Sequence, residues 1–354
     1  MKVLITGGAG FVGSRLAHLF KQLPHSPQVT VLDNLRRRGS ELNLRGFKSA
    51  GIQFQHGDIR APSDLEDLDG NFDLFIDASA EPSVLAGLNG SPRYVLGANL
   101  EGTLHCLEFA RRRCSALVFL STSRVYSIEP LKQIELAKTA TRFTPAAGQS
   151  MPGLTAAGIS EDFSTATARS LYGATKLASE LIVQEYAHAY GLNAVINRCG
   201  VIAGPGQFGK VDQGVFTLWV ANHFFGKPLR YTGFGGTGLQ VRDLLHPDDL
   251  FDLLQLQVAQ AARLRGGVFN VGGGEAISVS LREMTALCRE STGREVPVAE
   301  DPTTSAVDIP WYATDHGRAT QEFGWRPTRN SSTIVQGITD WIRTNESEVK
   351  PLFA

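Results

Sequence analysis

Residues 2–23, KVLITGGAGFVGSRLAHLFKQL, run from an apolar β-type stretch through glycines 7, 10 and 13 into an amphipathic helix that stops at Pro24. A strand that turns sharply on glycine into a helix leaves the helix N-terminus open, with unpaired amides and partial positive charge. Glycine lets the backbone approach a ligand as closely as a side chain would prevent. The GxxGxxG spacing therefore predicts a pyrophosphate cradle, built from Gly7, Gly10, Phe11, Val12 and Gly13.

The chain after it keeps the same alternation. VTVLD (29–33), IQFQHGD (52–58), FDLFIDAS (72–79), SALVFLST (115–122) and LNAVINR (192–198) are short and apolar nearly throughout. NLEGTLHCLEFARRR (99–113) and a helix of about 18 residues opening at Tyr172 lie between the later ones. Such strands, separated by helices, predict a parallel sheet covered on both faces, hence a doubly wound α/β (Rossmann) domain. It spans about residues 1–200, with contributions from about 233–272. Beyond GPGQFG (204–209) the chain becomes glycine-jointed, with shorter strands such as PLRYT and GVFNVG and helical patterns around 213–225, 278–292 and 331–343. This predicts a smaller α/β lobe over 201–354 that binds substrate above the sheet's carboxyl edge. The 123–169 stretch is Thr/Ala/Gly-rich and weakly periodic; such a length without regular structure is usually functional or mobile.

Asp33 ends the second strand twenty residues after Gly13, placed to accept the ribose hydroxyls of an adenosine and to repel a 2′-phosphate. NAD is the expected cofactor. Asn34 follows Asp33, and Asp58 with Ile59 follows the third strand, near the adenine edge. The RRR run at 36–38 leaves NADP open, although short basic runs usually form solvated faces. At the same carboxyl edge the fifth strand ends in Thr122, while Tyr172 and Lys176 lie one helical turn apart. A phenol ionises near pH 10. A neighbouring ammonium, with an oxidised nicotinamide, would favour phenolate and make Tyr172 a proton-transfer group in hydride-transfer chemistry.

GxxGxxG, Thr122–Tyr172–Lys176, GPGQ and GWRP (324–327), in this order over nearly the whole chain, resemble the extended short-chain dehydrogenase/reductase family acting on nucleotide sugars. DNLRRRGSELNL (33–44), KVDQGV (210–215), GFGGTGLQVRDLLHPDDL (233–250) and the long insert before Tyr172 are similar to the subfamily that epimerises a CDP-sugar at C2. The resemblance implies an isomerase that oxidises a ring hydroxyl transiently to a ketone and returns hydride to the opposite face. It implies that Ala78, Ser79 and Ala80 pass beneath the nicotinamide, with Asn99 a cofactor neighbour or a helix cap. It places Glu81, Ser123, Arg124, Val201, Gln207, Lys210, Gln213, Arg242 and Asp308 at the substrate. Arg242 would grip the diphosphate; otherwise it pairs with Asp243 at the surface. His246 is expected to be structural.

Three departures stand out. DASA (77–80), then Glu81, replaces the usual HLAA or HLAG; Val201 replaces an asparagine; Ser305 replaces an arginine. A 4,6-dehydratase would carry an acidic pair after Thr122, where this chain has Ser123 and Arg124. A 4-epimerase shares the triad, and a non-catalytic dinucleotide sensor usually loses the tyrosine or the lysine. A net charge of -1 gives no global field for nucleic acid or anionic membrane, so an anionic ligand must be held locally. Cys106, Cys114, Cys199 and Cys288 form no CxxC, so no metal is expected, and they fit a reducing cytoplasm. No apolar run of membrane-span length is present. The resemblance further implies a homodimer or homotetramer, packed through helices 99–113 and 172–190.

Overall fold

The computed structural model describes residues 1–88, 90–209 and 214–353. Seven strands form its main sheet: β1 (Lys2–Thr6), β2 (Gln28–Asp33), β3 (Gln53–His56), β4 (Leu74–Asp77), β5 (Leu117–Thr122), β6 (Ala194–Cys199) and β7 (Gly267–Val271). All pairings are parallel, in the order β7-β6-β5-β4-β1-β2-β3. Alternate residues serve opposite cores, which is why the inner strands are largely apolar, while the edge strand β3, QFQH, is not. On one face Val3, Ile5, Val31, Ile76 and Val118 pack with Leu16 and Phe20 of α1 (Phe11–Lys21). On the other Leu4, Phe75, Phe119 and Ile196 meet Leu107 and Phe109 of α2 (Gly102–Arg113) and Val183 of α3 (Leu171–Tyr190).

The chain leaves this domain after β6 and then returns. A helix over Pro247–Val258 lays Leu250, Phe251 and Leu254 on the α1 face. GVFNVG, within the 233–272 stretch expected to contribute to the sheet domain, supplies β7 at the end of the main sheet. Its Phe269 and Val271 are buried on the α1 face, and pairing with β6 decides where it lies. The smaller lobe has a sheet in which Val241–Leu245 pairs with Val201–Ile202, Ser278–Ser280 and Trp311–Tyr312. Helices Val215–Phe225, Leu281–Thr292 and Ser331–Thr344 bury Trp219, Met284 and Ile338 in a core of their own.

The 123–169 stretch is folded. It forms two hairpins, Leu136–Lys138 with Phe143–Pro145 and Leu154–Thr155 with Gly158–Ile159. Leu131, Ile134, Ile159 and Phe163 are buried against Trp311 and Tyr312 of the lobe. Weak periodicity in the sequence reflects short strands that each contribute one or two side chains to a distant core.

Candidate active site

A cleft of about 1000 Å³ runs along the carboxyl edge of the main sheet, from the glycine turn to the lobe. That is the upper end of the roughly 300–1,000 Å³ of small-molecule sites. At the nucleotide end Gly7, Gly10, Phe11, Val12 and Gly13 line it. Gly7 has φ +64°, and a Cβ there would sit 2.7 Å from the Ala78 carbonyl oxygen. At Gly13 a Cβ would sit 2.3 Å from the Gly7 oxygen. The turn therefore closes only with hydrogen at both positions, which leaves a cradle of bare backbone at the head of α1.

Asp33 lines the cleft at the tip of β2. Its Oδ2 accepts from the Ala9 amide at 3.0 Å and its Oδ1 from the Leu35 amide at 2.8 Å. Two backbone donors fix the carboxylate, and each oxygen keeps acceptor capacity toward the cleft. Burial holds its pKa above the ordinary value. Glycine cradle and acid together fit a dinucleotide pyrophosphate and adenosine ribose.

Asn34, Asp58 and Ile59 also line this end. The Asp58 carboxylate is taken up by the protein: Asn34 Nδ2 donates to it at 2.8 Å and Arg60 Nη2 at 2.7 Å. Burial opposes its ionisation, but Arg60 and Asn34 outweigh this and bring its pKa to about 2. The arginine run at 36–38 is no plain solvated face. Arg36 stacks on the Tyr94 ring at 3.8 Å, Arg37 donates to the Phe208 carbonyl at 2.7 Å, and Arg38 donates to the Pro351 carbonyl at 3.0 Å. These contacts and the lining residues Ser40, Asn43, Tyr94, Phe208 and Leu352 were missed by sequence reasoning. Their partners lie too far along the chain to leave a local signal.

Ala78, Ser79, Ala80 and Glu81 follow β4 along the cleft floor. Asn99 neither caps a helix nor lines the cleft. It is fully buried in a π-helical turn, Gly97–Glu101, that leads into α2. Its Oδ1 accepts from the Glu81 amide at 2.7 Å, and its Nδ2 donates to the Glu81 carbonyl and to Thr175 Oγ1. Asn99 thus fixes the Glu81 backbone to α3, with Glu81's side chain at the cleft.

At the centre Thr122, Ser123, Arg124, Tyr172 and Lys176 converge. Ser170 caps α3 by accepting from the Gly173 amide at 3.1 Å, so the helix starts immediately before Tyr172. A Cβ on Gly173 would lie 2.1 Å from the Arg124 carbonyl oxygen. That close approach brings the end of β5 against the first turn of α3 and sets Thr122 and Tyr172 side by side on the cleft. Burial pushes this phenol up to about 12, and the Thr122 hydrogen bond only partly offsets it. Lys176 is 1% exposed, its Nζ 4.0 Å from the Phe119 ring centroid, and burial lowers its pKa. The protein's own groups therefore hold Tyr172 as a neutral phenol. The chain alone gives the phenol no bias toward phenolate: desolvation outweighs Thr122 and the Arg124 charge, the groups that lower its pKa. In nucleotide-free protein, absorbance titration to pH 11 is expected to give equal tyrosinate signals for the parent and Tyr172→Phe. A loss of one tyrosinate in the variant below that pH would contradict this.

Below the site Arg198 on β6 grips Glu180 of α3, Nη2 to Oε2 at 2.8 Å, and the Ser121 hydroxyl also donates to Glu180. Both members are buried, and removing one would cost about 3–5 kcal/mol.

On the lobe side Val201 and Gln207 line the cleft. The Gln207 amide is engaged by its own loop, donating to the Ile202 carbonyl at 3.0 Å and accepting from Thr217 at 2.5 Å. Arg242 is neither on the cleft lining nor paired with Asp243. Its Nη2 donates to Asp308 Oδ1 at 2.8 Å and to the Ile309 carbonyl at 2.7 Å, and burial lowers its pKa to about 10. Strand alternation sends Asp243 to the opposite side, where Oδ2 accepts from the Gly274 amide. Asp308, paired with Arg242, does not line the cleft either. Lys210 and Gln213 lie outside the described residues. His246 caps the 247–258 helix, accepting from the Asp248 amide at 3.1 Å. Among the described residues no His/Cys/Asp/Glu cluster could hold a metal ion, and no helix is long and apolar enough to cross a membrane.

Comparison with known proteins agrees with this geometry. The model of the NAD dependent epimerase/dehydratase family matches residues 3–272. CDP-paratose 2-epimerase of Salmonella typhi is 31% identical over 96% of this chain and 99% of its own. dTDP-glucose 4,6-dehydratase of Streptomyces antibioticus is 28% identical over 99% and 95%. Among solved structures, a double mutant of the dTDP-glucose 4,6-dehydratase DesIV from Streptomyces venezuelae, with NAD and DAU bound, superposes with a TM-score of 0.79. It is 27% identical and covers 99% of this chain and 100% of that one. UDP-glucuronic acid 4-epimerase of Bacillus cereus shares the fold with a TM-score of 0.76 at 22% identity, covering 97% and 99%.

A doubly wound sheet with a dinucleotide cradle and a Thr–Tyr–Lys set at its carboxyl edge defines a Rossmann-type, dinucleotide-dependent enzyme scaffold. More particularly, the chain belongs to the NAD dependent epimerase/dehydratase family, and NAD is its cofactor.

Proposed function

We propose that the protein is a nucleotide-sugar epimerase acting at C2 of a CDP-activated deoxyhexose, as the Salmonella typhi relative's name indicates for that protein. The observation that carries the epimerase reading is the acid inventory of the cleft. Among the described residues its carboxylates are Asp33, Asp58 and Glu81, the first two at the nucleotide end. Thr122 is followed by Ser123 and Arg124, so the turn beside Tyr172 offers no carboxyl group to exchange protons across a neighbouring carbon–carbon bond, as dehydration needs. The presence of both Tyr172 and Lys176 supports catalysis over mere dinucleotide sensing.

NAD held by the glycine turn and Asp33 would supply reversible hydride transfer. Thr122 and Tyr172 hold the ring hydroxyl between their own hydroxyls. Tyr172 takes its proton as the carbon becomes a carbonyl and returns it after the sugar presents its other face. Lys176, one turn along α3, supports the charge of the phenolate so formed. Ser123, Arg124, Val201, Gln207 and Glu81 border the sugar. Lys210 and Gln213 remain in the proposal as neighbours from the adjoining segment. Arg242 and Asp308 act as a pair; reaching the diphosphate requires the arginine to exchange Asp308 for it. The proposal includes a homodimer or homotetramer through α2 and α3, where Leu181 and Tyr190 are 58% and 59% exposed.

Proton NMR of the NAD-loaded protein with CDP-paratose and, separately, CDP-glucose tests the proposal. A product of unchanged mass, inverted at C2, is expected. Inversion at C4 would replace the regiochemistry, loss of one water would establish a dehydratase, and no turnover of either sugar would overturn the substrate class.

A further inference from the structure

Asp77 ends β4 with its side chain on the face covered by α2 and α3, the face shared by Phe75 and by its cross-strand partner Phe119. It is 1% exposed. Its Oδ1 accepts from the Thr6 hydroxyl at 2.9 Å and the Ser79 amide at 3.1 Å. Its Oδ2 is buried with no hydrogen-bond partner. A buried carboxylate oxygen without a donor is costly unless an opposite charge lies near.

The nearby opposite charge is Lys176, whose Nζ lies over the ring of Phe119, the residue beside Asp77 on the neighbouring strand. The charged groups facing this ammonium are Asp77 from β4 and Glu180 from α3 itself; Cys199 from β6 and Cys106 from α2 also face it. Burial keeps both thiols neutral, raising Cys199 to about 12 and Cys106 well above its ordinary value. Glu180 is already matched by Arg198 and hydrogen-bonded by Ser121. Arg198 offsets Glu180, which leaves Asp77 to offset Lys176.

We propose that Asp77 is the counter-ion of Lys176, a positioning residue that keeps the lysine charged behind Tyr172. It never touches the reacting atoms and acts through the lysine. The inference rests on the reading of Tyr172 and Lys176 as the proton-transfer pair. Burial draws the lysine's pKa down and the Asp77 carboxyl's up, and the attraction between the two opposes both shifts. The ammonium is lost as pH rises through its midpoint, so removing the carboxylate charge must bring that loss to lower pH.

The test is ¹³C NMR of NAD-loaded protein labelled at lysine Cε, with the Lys176 signal assigned by its absence in Lys176→Ala. Asp77→Asn is isosteric and retains an acceptor for Thr6 and Ser79; Asp77→Ser, which also removes the charge, is the second variant. Both are expected to lower the Lys176 midpoint by about one pH unit or more. Asp77→Asn is expected to lower Tm, because it leaves the Lys176 ammonium buried without its counter-charge, so Tm alone does not decide the case. The alkaline limb of the kcat profile should move down with the midpoint. A midpoint unchanged in both variants overturns the proposal, even if Tm falls, since that is what a purely structural Asp77 gives. Because the NMR readout needs no turnover, a shifted midpoint in protein that turns over neither CDP-sugar supports the Asp77 role while the substrate reading fails.

Discussion

Tyr172→Phe is expected to cut turnover of the nucleotide sugar by about 10²- to 10⁴-fold, the usual contribution of a positioned proton-transfer group. Bound NAD should be retained, because the glycine turn and Asp33 that form the nucleotide end are untouched. Tyr172 is the only phenol on the cleft's sugar side among the described residues; Tyr94 lies at the far end beside Arg36. Turnover assays of the variant beside the parent, with the NAD content measured after denaturation, separate the two effects. Full activity in the variant would end the proton-transfer reading, and loss of NAD would show that the phenol holds the cofactor instead.

Gly173→Ala should be nearly as damaging for a different reason. Its Cβ would meet backbone, the Arg124 carbonyl oxygen at 2.1 Å, and a carbonyl in a short turn cannot rotate away as a flexible side chain could. The first turn of α3 and the end of β5 must then separate by about 1 Å, which parts Thr122 from Tyr172. Misplacement on that scale costs about 10²-fold in rate. Because the buried apolar contacts of α3 lie further along, at Val183 and Ala187, the variant should still fold. The expected pattern is therefore a fall in kcat of about 10²-fold or more with unchanged NAD binding and a modest loss of Tm. An active variant would show that the Thr122–Tyr172 contact is dispensable.

The main sheet was legible because its signals are local. The inner strands are largely apolar since both their faces are covered, and the glycine triple sits between a strand and a helix with an acid at the next strand tip. Tyr172, Lys176 and Thr122 could be placed together because strand ends in a parallel sheet share one edge. Charged side chains were harder to place. Arg242 chooses Asp308, sixty-six residues away, over the adjacent Asp243, because strand alternation separates neighbours in sequence. The arginines at 36–38 look like a surface run until Phe208 and Pro351 arrive from the far end of the chain. Asn99 looks like a cap, since a π-helical turn has no sequence signature of its own.

The folded segment between Thr122 and Tyr172 leaves and re-enters the catalytic centre through a neck closed at Gly173 and Arg124. Its outer parts are fastened to the lobe: Arg142 holds Glu283 at 2.6 Å, and the Ile159 amide donates to the Ala313 carbonyl at 2.8 Å. Closing a loop costs only about 0.6 kcal/mol more for each doubling of its length. What stands on such a neck can lengthen, shorten or be exchanged while the hydroxyls beneath it keep their spacing. The segment thus stands outside the cleft, since none of its described residues from 125 to 171 lines it, and its length is decoupled from the spacing of the hydroxyls at its neck.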